Sequence, residues 1–328
     1  MERITVSERP DWQAKVESVG FNYHSLGHNP AATGSDGLYW YERAAYKFTG
    51  TDTDYIYEAT QELHARVLDA VDWVTRTPEE LARFGLSPEW TAYVVRSWRR
   101  GDPAIMGRFD LAYDPATGGV KMLEYNADTP TLLIESSLVQ WFWLKDKRAD
   151  LDVAAADQFN SLHEKLLQAF RGIKGRLASD AILHVAALAT YPEELQHARY
   201  FMDLAQQAGI DARFVSIADI GWREERTGRP DEFVDAEGVP IRFLHKLYPW
   251  EWMAQEEFGK HLLLDRIGII EPPWKMIAAS KALLPVLHHL FPDHPNLLPA
   301  AWTREEIAGD AIRKPTLGRE GANMQVWR

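Results

Sequence analysis

Along the first half of the chain, apolar residues recur every three to four positions. The stretches 55–85 (YIYEATQELHARVLDAVDWVTRTPEELARFG) and 130–170 carry this spacing, with Pro88 and Pro103 breaking it between them, and they predict helices with one apolar face. The segment 106–126 (MGRFDLAYDPATGGVKMLEYN) departs from it: two alternating runs flank a turn rich in Pro, Thr and Gly, which predicts a β-hairpin. From 181 the period changes. AILHVAALAT reads as a short strand, 193–209 as a helix ending in glycine, and 212–217 as a second strand. A βαβ unit of this kind implies a parallel sheet and an α/β fold. A second hairpin is expected after it, with Asp235-Ala236-Glu237-Gly238 as the turn and VPIRFLHKLY as a long second strand. The stretch 275–290 reads as one amphipathic helix that stops before Pro292, and beyond Pro299 a polar linker leads into the strand-like AIRKPTLGREGANMQVW. No internal repeat or low-complexity stretch interrupts the pattern, and boundaries are expected near 150 and near 270.

With 328 residues the chain has room for about two domains of ordinary size. Its 46% hydrophobic and 26% charged residues are those of a globular protein and exclude disorder and collagen. The charge changes the picture more. With 36 basic and 48 acidic residues, the net charge is −12, spread along the whole length, so no face is basic enough to follow a phosphate backbone, and nucleic acid is not an expected partner. Cysteine is absent, which removes disulfides, thiolate zinc sites and cysteine nucleophiles together. The N-terminus lacks the basic start and apolar run of a signal peptide, and no 18 apolar residues run together; the expectation is a cytoplasmic protein without a membrane partner.

Candidate chemistry concentrates on the first hairpin. If its turn centres on Thr117, paired residues have numbers summing to 234, so Arg108 lies opposite Asn126 and Asp110 opposite Glu124, all four on one face. Phe109, Leu111, Leu123 and Tyr125 then share the other. Like charges facing each other across a ladder repel, and a bound cation would cancel that cost. Two carboxylates and an amide oxygen form an oxygen-only set suited to a hard cation such as Mg²⁺, with phosphates and water completing it, and Arg108 beside them could hold a phosphate. A solvated polar face on which Arg108 neutralises the two acids satisfies the same pattern.

Toward the C-terminus, Arg313 and Lys314 precede Gly318-Arg319-Glu320-Gly321. Glycines three apart let backbone N–H groups approach an anion while Lys and Arg supply charge, although an ordinary turn fits as well and the spacing is not that of a Walker A loop. Lys281 could reach a phosphate if its helix runs along a cleft. His288, His289 and His294 match no common zinc spacing, so no transition metal is expected. In KLYPWEW (246–252), aromatic packing beside an ion pair is the simplest reading. Glu193 and Glu194 open the helix of the βαβ unit, where acids favour the positive end of the helix dipole and where ligands also bind in parallel sheets.

Taken in order, GRFDLAYD, LEYNADTPT, KLYPWEW, EPPWKMIAASKALLP and RKPTLGREGAN resemble the synthetase domain of the glutathionylspermidine synthase family, from about residue 12 to the end, in its single-domain branch. The resemblance implies a permuted ATP-grasp fold with a Rossmann-like pre-ATP-grasp domain: 1–150 as ATP-grasp core with the magnesium-binding hairpin, 151–270 as pre-ATP-grasp substrate domain, and 271–328 as a lid that stops short of the family's last strands. It implies an ADP-forming ligase that joins a small carboxylate to an amine through an acyl phosphate, with ATP and Mg²⁺. By matching position it makes Arg108 catalytic and an ATP contact, with Asp110, Lys281, Lys314, Gly318, Arg319 and Gly321 also at ATP. Asp110, Glu124 and Asn126 would bind magnesium. Thr129, Glu193, Glu194 and Leu247 would face the peptide substrate. Leu247 stands where the synthase has a threonine, so glutathione itself is not the expected substrate. No cysteine–histidine amidase half precedes the motifs, and hydrolysis of the product is not expected. A non-catalytic nucleotide- or peptide-binding protein and a small-molecule kinase are the alternatives.

Overall fold

The computed structural model describes residues 1–25, 39–151, 156–177, 181–224, 230–319 and 321–328. In chain order its elements are β1 (Glu2–Thr5), α1 (Trp12–Glu17), β2 (Ala44–Lys47), α2 (Gly50–Arg76), α3 (Pro78–Ala82), α4 (Pro88–Arg100), β3 (Arg108–Asp114), β4 (Gly119–Asn126), α5 (Gln140–Lys147), α6 (Leu162–Lys174), β5 (Ile182–Ala187), α7 (Pro192–Gln207), β6 (Asp211–Ser216), β7 (Gly221–Arg223), β8 (Glu232–Val234), β9 (Phe243–Lys246), α8 (Trp250–Met253), β10 (Gly268–Ile270), α9 (Lys275–Ala278), α10 (Leu283–Leu290), β11 (Ala311–Arg313) and β12 (Gln325–Trp327). They form a mixed α/β protein with a parallel sheet. Two compact units share the chain: residues 1–49 with 131–248, and residues 50–130 with 249–328.

In the first unit, β5 runs parallel to both β6 and β9. Its residues from Leu183 to Ala187 are buried, as a parallel strand covered on both faces requires. The predicted βαβ unit is present: Pro192 starts α7 without needing its missing N–H, and Gly209, at φ +76°, ends it. Phe201 and Leu204 of α7 are buried, with Phe201 edge-on to Phe170 of α6. Two antiparallel pairs, β1 with β2 and β7 with β8, complete this unit; β1 and β2 are too short to show an alternation in the sequence.

The expected second hairpin is only partly formed. The turn is there, with Gly238 N donating to Asp235 O and Asp235 N to Val239 O, but antiparallel contact ends with Ile241 N on Phe233 O. Pro240 has no N–H to continue a ladder. The remainder of the supposed second strand, β9, is buried throughout and pairs in parallel with β5 instead.

In the second unit, the 27-residue α2 buries Leu63, Val67, Ala70, Val71 and Val74 along one stripe. This stripe joins a single core with Met122 and Tyr125 of β4, Ile277 and Ala278 of α9, and Leu283, Val286 and Leu287 of α10. Ser87 caps α4, its hydroxyl accepting from Trp90 N, and Gly101 ends it at φ 68°. The single helix expected over 275–290 is two helices. Pro285 is the reason: in a continuous helix its ring would strike the carbonyl of residue 281, whereas a fresh start at Leu283 leaves Pro285 in the first turn, where no N–H is needed. The break gives Lys281 N to Thr316 O at 2.9 Å, and Ser280 Oγ accepts from Ala282 N. The strand-like tail forms a small hairpin of β11 and β12.

Candidate functional site

The hairpin β3–β4 closes one residue away from the expected register, with Asp114 opposite Gly119, and the expected pairs appear only beyond a bulge. Arg108 faces Asn126 and Asp110 faces Glu124. Between Asp110 and Leu111 the register slips by one: Leu111 pairs with Met122, and Leu123 becomes the extra residue of a bulge. The expected apolar face is corrected accordingly. Met122 is buried in the core at 2% exposure and Leu123 lies at the surface at 38%. Phe109 and Tyr125 keep their places, stacked 4.2 Å apart, and a Cβ on Gly107 would collide with the Tyr125 ring, so the strand can begin this close only at a glycine.

On the polar face, Asp110 Oδ1 accepts from Arg108 Nε at 3.4 Å and from Asn126 Nδ2 at 3.3 Å. Glu124 Oε2 lies 3.4 Å from Lys281 Nζ and 4.0 Å from Lys314 Nζ. The helix break and the end of β11 thus bring both lysines to one carboxylate. Lys281 Nζ also donates to Gly318 O at 2.8 Å, and Lys314 Nζ to Leu123 O at 2.9 Å, the carbonyl of the bulge residue. Partial burial, reinforced by the charge of Lys281, holds the Lys314 ammonium below the ordinary lysine value against the pull of Glu124 and Asp110. The two glycines have different reasons: Gly318 packs against the Pro315 ring, leaving no space for a Cβ, while Gly321 sits at φ +70°.

Of these residues Glu124, Asn126, Lys281 and Gly318 line a cavity of about 230 Å³, with Thr129 and Arg319 also on its polar side and apolar residues including Trp90, Met276 and Leu287 lining it elsewhere; Arg108, Asp110, Lys314 and Gly321 are not part of its lining. Arg319 Nη1 donates to Thr129 Oγ1 at 2.8 Å and Nη2 to Glu251 Oε1 at 2.9 Å. Glu251 is a site residue that sequence reasoning missed; its partner is Arg319, 68 positions away, and no local pattern announces such a pair. Among the described residues no three His, Cys, Asp or Glu side chains form a group able to hold a metal. The donor set of Asp110, Glu124 and Asn126 suits magnesium chemically, but with two carboxylates it needs further oxygens from a bound phosphate. His294 packs between Glu62 and the Asn296 amide, and His289 lies against Trp73.

The remaining candidates belong to the first unit. Glu194 Oε2 accepts from Leu188 N at 2.9 Å and so closes the turn between β5 and α7. Glu193 is half-buried beside it. Leu247 is buried and gives its amide to Ala186 O, extending the β9 ladder. The sequence reading also missed Glu135, buried at 5% exposure, whose Oε1 accepts from Tyr23 and Tyr39 hydroxyls. Burial, with the charge of Glu193 adding to it, raises its carboxyl above the ordinary range. A lone glutamate in a helical pattern gives no sign of this.

The sequence profile described as "Glutathionylspermidine synthase preATP-grasp" matches residues 3–328. A Haemophilus influenzae protein named "Putative acid–amine ligase" is 38% identical over 330 residues, covering 99% of this chain and 80% of that protein. "Trypanothione synthetase" of Crithidia fasciculata is 29% identical over 81% of this chain and 43% of its own length. "Bifunctional glutathionylspermidine synthetase/amidase" of Escherichia coli K12 is 28% identical over 86% of this chain. The chain spans 47% of that last protein, so less than half of either synthetase is represented here.

Proposed function

This chain belongs to the glutathionylspermidine synthase preATP-grasp family, and from that premise we propose that it is an ATP-dependent, ADP-forming carboxylate–amine ligase of permuted ATP-grasp type. The observation that carries the reading is the position of Glu124, between Lys281 and Lys314 and opposite Asp110 on one strand face. Acids for a metal and cations for phosphates stand side by side, each holding the other's place. The relatives' names, a ligase of acid and amine and synthetases of peptide–polyamine conjugates, support the same reaction class.

In this reading Arg108, Lys281, Lys314 and Arg319 neutralise the nucleotide's phosphates, with Gly318 and Gly321 shaping the loop above them. Asp110, Glu124 and Asn126 hold Mg²⁺, which when bound spreads the phosphate charge during transfer. A carboxylate oxygen of the first substrate attacks the terminal phosphorus and ADP leaves; the amine nitrogen then attacks the acyl carbon, the C–O bond breaks with its electron pair going to the departing phosphate, and the nitrogen gives up a proton to that phosphate or to solvent. The protein's part is positioning and charge neutralisation, with Arg108 the residue proposed to steady the transferred group. The resemblance gives 1–150, 151–270 and 271–328 the roles of nucleotide core, substrate domain and lid, whereas the two compact units divide the chain after residues 49, 130 and 248; the enzyme is proposed to work on small molecules in the cytoplasm. The resemblance assigns to the carboxylate substrate Thr129 of the second unit and, in the first, Glu193, Glu194 and Leu247. Leu247 offers no hydroxyl there, which argues for a less polar acid than glutathione.

The test is ADP release measured over a panel of small peptides, amino acids and amines with Mg-ATP. Ligation predicts release that requires one carboxylate and one amine together. Release with a single substrate and no amine would identify a kinase, and Mg-ATP binding without release from any pair would identify a binding protein.

A further inference from the structure

Arg319 reaches from the lid stretch to two side chains at the cavity rim, and its guanidinium carbon stands 5.5 Å from the centre of the Trp252 ring. One of those side chains, Glu251, carries a charge of the same sign as a phosphate or a carboxylate. We propose that Glu251 is the resting counter-ion of Arg319, occupying the place that an oxyanion of the bound ligand takes over, so that its charge sets how tightly the cavity holds anions. This rests on the nucleotide reading of the cavity and names a residue that tunes it.

The geometry favours exchange over a permanent latch. Glu251 meets the guanidinium through a single nitrogen, Nη2, while Nη1 is turned to a neutral hydroxyl. A phosphate or carboxylate can take two parallel bonds from a guanidinium and gains more than a one-point partner. Both side chains are partly open to water, at 42% for Arg319 and 23% for Glu251, and an ion pair so placed is weak. The backbone below is held independently: Trp250 N donates to Asp128 Oδ2 at 2.9 Å, and Trp250 Nε1 to Glu271 O at 3.1 Å. Only the Glu251 side chain has to swing away. Trp252 keeps the guanidinium in place through the exchange, since a cation over a ring face is attracted whatever its anionic partner. The contrast with Glu124 is chemical: that acid sits in the oxygen set that suits a metal, whereas Glu251 is paired with the arginine.

The oxyanion could be a phosphate of the nucleotide or the carboxylate of the other substrate, and the experiment separates them. Mg-ATP, tripolyphosphate and triglycine are each titrated calorimetrically into the full chain, its Glu251→Gln and Arg319→Ala variants and the double variant. Glu251→Gln should tighten binding of whichever probe docks on Arg319 by about five-fold, and Arg319→Ala should weaken the same probe by about ten-fold. In the Arg319→Ala background, Glu251→Gln should change nothing. Weaker binding in Glu251→Gln would show a latch that the ligand needs, and a gain that persists without Arg319 would show a general charge effect; either overturns the proposal. No change in any probe also overturns it. If tripolyphosphate shows the pattern while Mg-ATP does not bind, the nucleotide reading falls and the exchange stands. Mg-ATP binding indifferent to Glu251 is the converse, and binding of no probe defeats both.

Discussion

Asp110 faces Glu124 across a ladder, and each acid is answered by a cation rather than left to repel the other. Asp110 has Arg108, and Glu124 has Lys281 and Lys314. The contacts of Asp110 are long, 3.3 and 3.4 Å, and its side chain is 42% exposed, so they contribute little to the fold. Asp110→Ala should therefore change stability without ligand by less than about 1 kcal/mol, in either direction. The same variant should lose the stabilisation that Mg-ATP gives the wild type. Thermal melts with and without Mg-ATP measure both, and a large loss in the ligand-free melt would make Asp110 a structural residue.

At the scale of elements, the bulge in β4 and the break between α9 and α10 decide which residues face the cavity. Met122 rather than Leu123 fills the core, so Met122→Ala should cost about 2–5 kcal/mol, whereas Leu123→Ala at the surface should cost under about 1 kcal/mol. Denaturant unfolding of the two variants distinguishes the bulged register from a regular one, in which the costs would be reversed. The strand start is held from below by a buried pair. Glu271 accepts the amides of Ile105 and Met106, its Oε2 lies 2.8 Å from Lys275 Nζ, and Lys275 donates to Met106 O, with both side chains 2% exposed. Removing one partner leaves a buried charge unanswered. Lys275→Met should cost about 3–5 kcal/mol in unfolding free energy, and an unchanged midpoint would mean that water reaches the pair.

Across the whole molecule, acid should be the harsher condition. In the first unit His197 and His245 are buried and stacked around Phe201, and His197 Nε2 and His245 Nδ1 have no hydrogen-bond partner. Burial pushes His197 down to about 3, and burial aided by His197 and Lys246 lowers His245 as well. Because the unfolded chain takes up these protons near 6.5 and the folded one resists them, stability falls as pH drops below 6.5. Each such histidine contributes a loss of up to about 1.4 kcal/mol per pH unit until its folded value is reached. Glu135 and Glu271, whose carboxyls are raised by burial, act in the opposite direction at the low end of that range. His197→Phe should flatten the decline between pH 6.5 and 5, read from urea midpoints across that range; an equal slope in both proteins would place the acid sensitivity elsewhere. No described helix is long and apolar enough to cross a membrane.

What the sequence by itself determined is what depends on neighbours along the chain. The hairpin and the alternation along each strand are local, so Arg108 could be placed on one face with Asp110, and Glu124 with Asn126, before any coordinates; that the two pairs face each other depends on the bulge. The βαβ unit was equally legible, because periods of two and of 3.6 residues are properties of short segments. The tertiary structure decided the rest. The bulge at Leu123 places Met122 in a core built from α2, α9 and α10. The break at Ser280 and Lys281 is bridged by the Thr316 carbonyl, and β9 left its hairpin because burial against β5 was available. The meeting of Lys281, Lys314 and Arg319 with Glu124 and Glu251 joins positions up to 190 residues apart, as does that of Arg319 with Thr129. Charges brought together over such separations are selected by packing and by the Coulomb energy of the folded chain, and no local period records them.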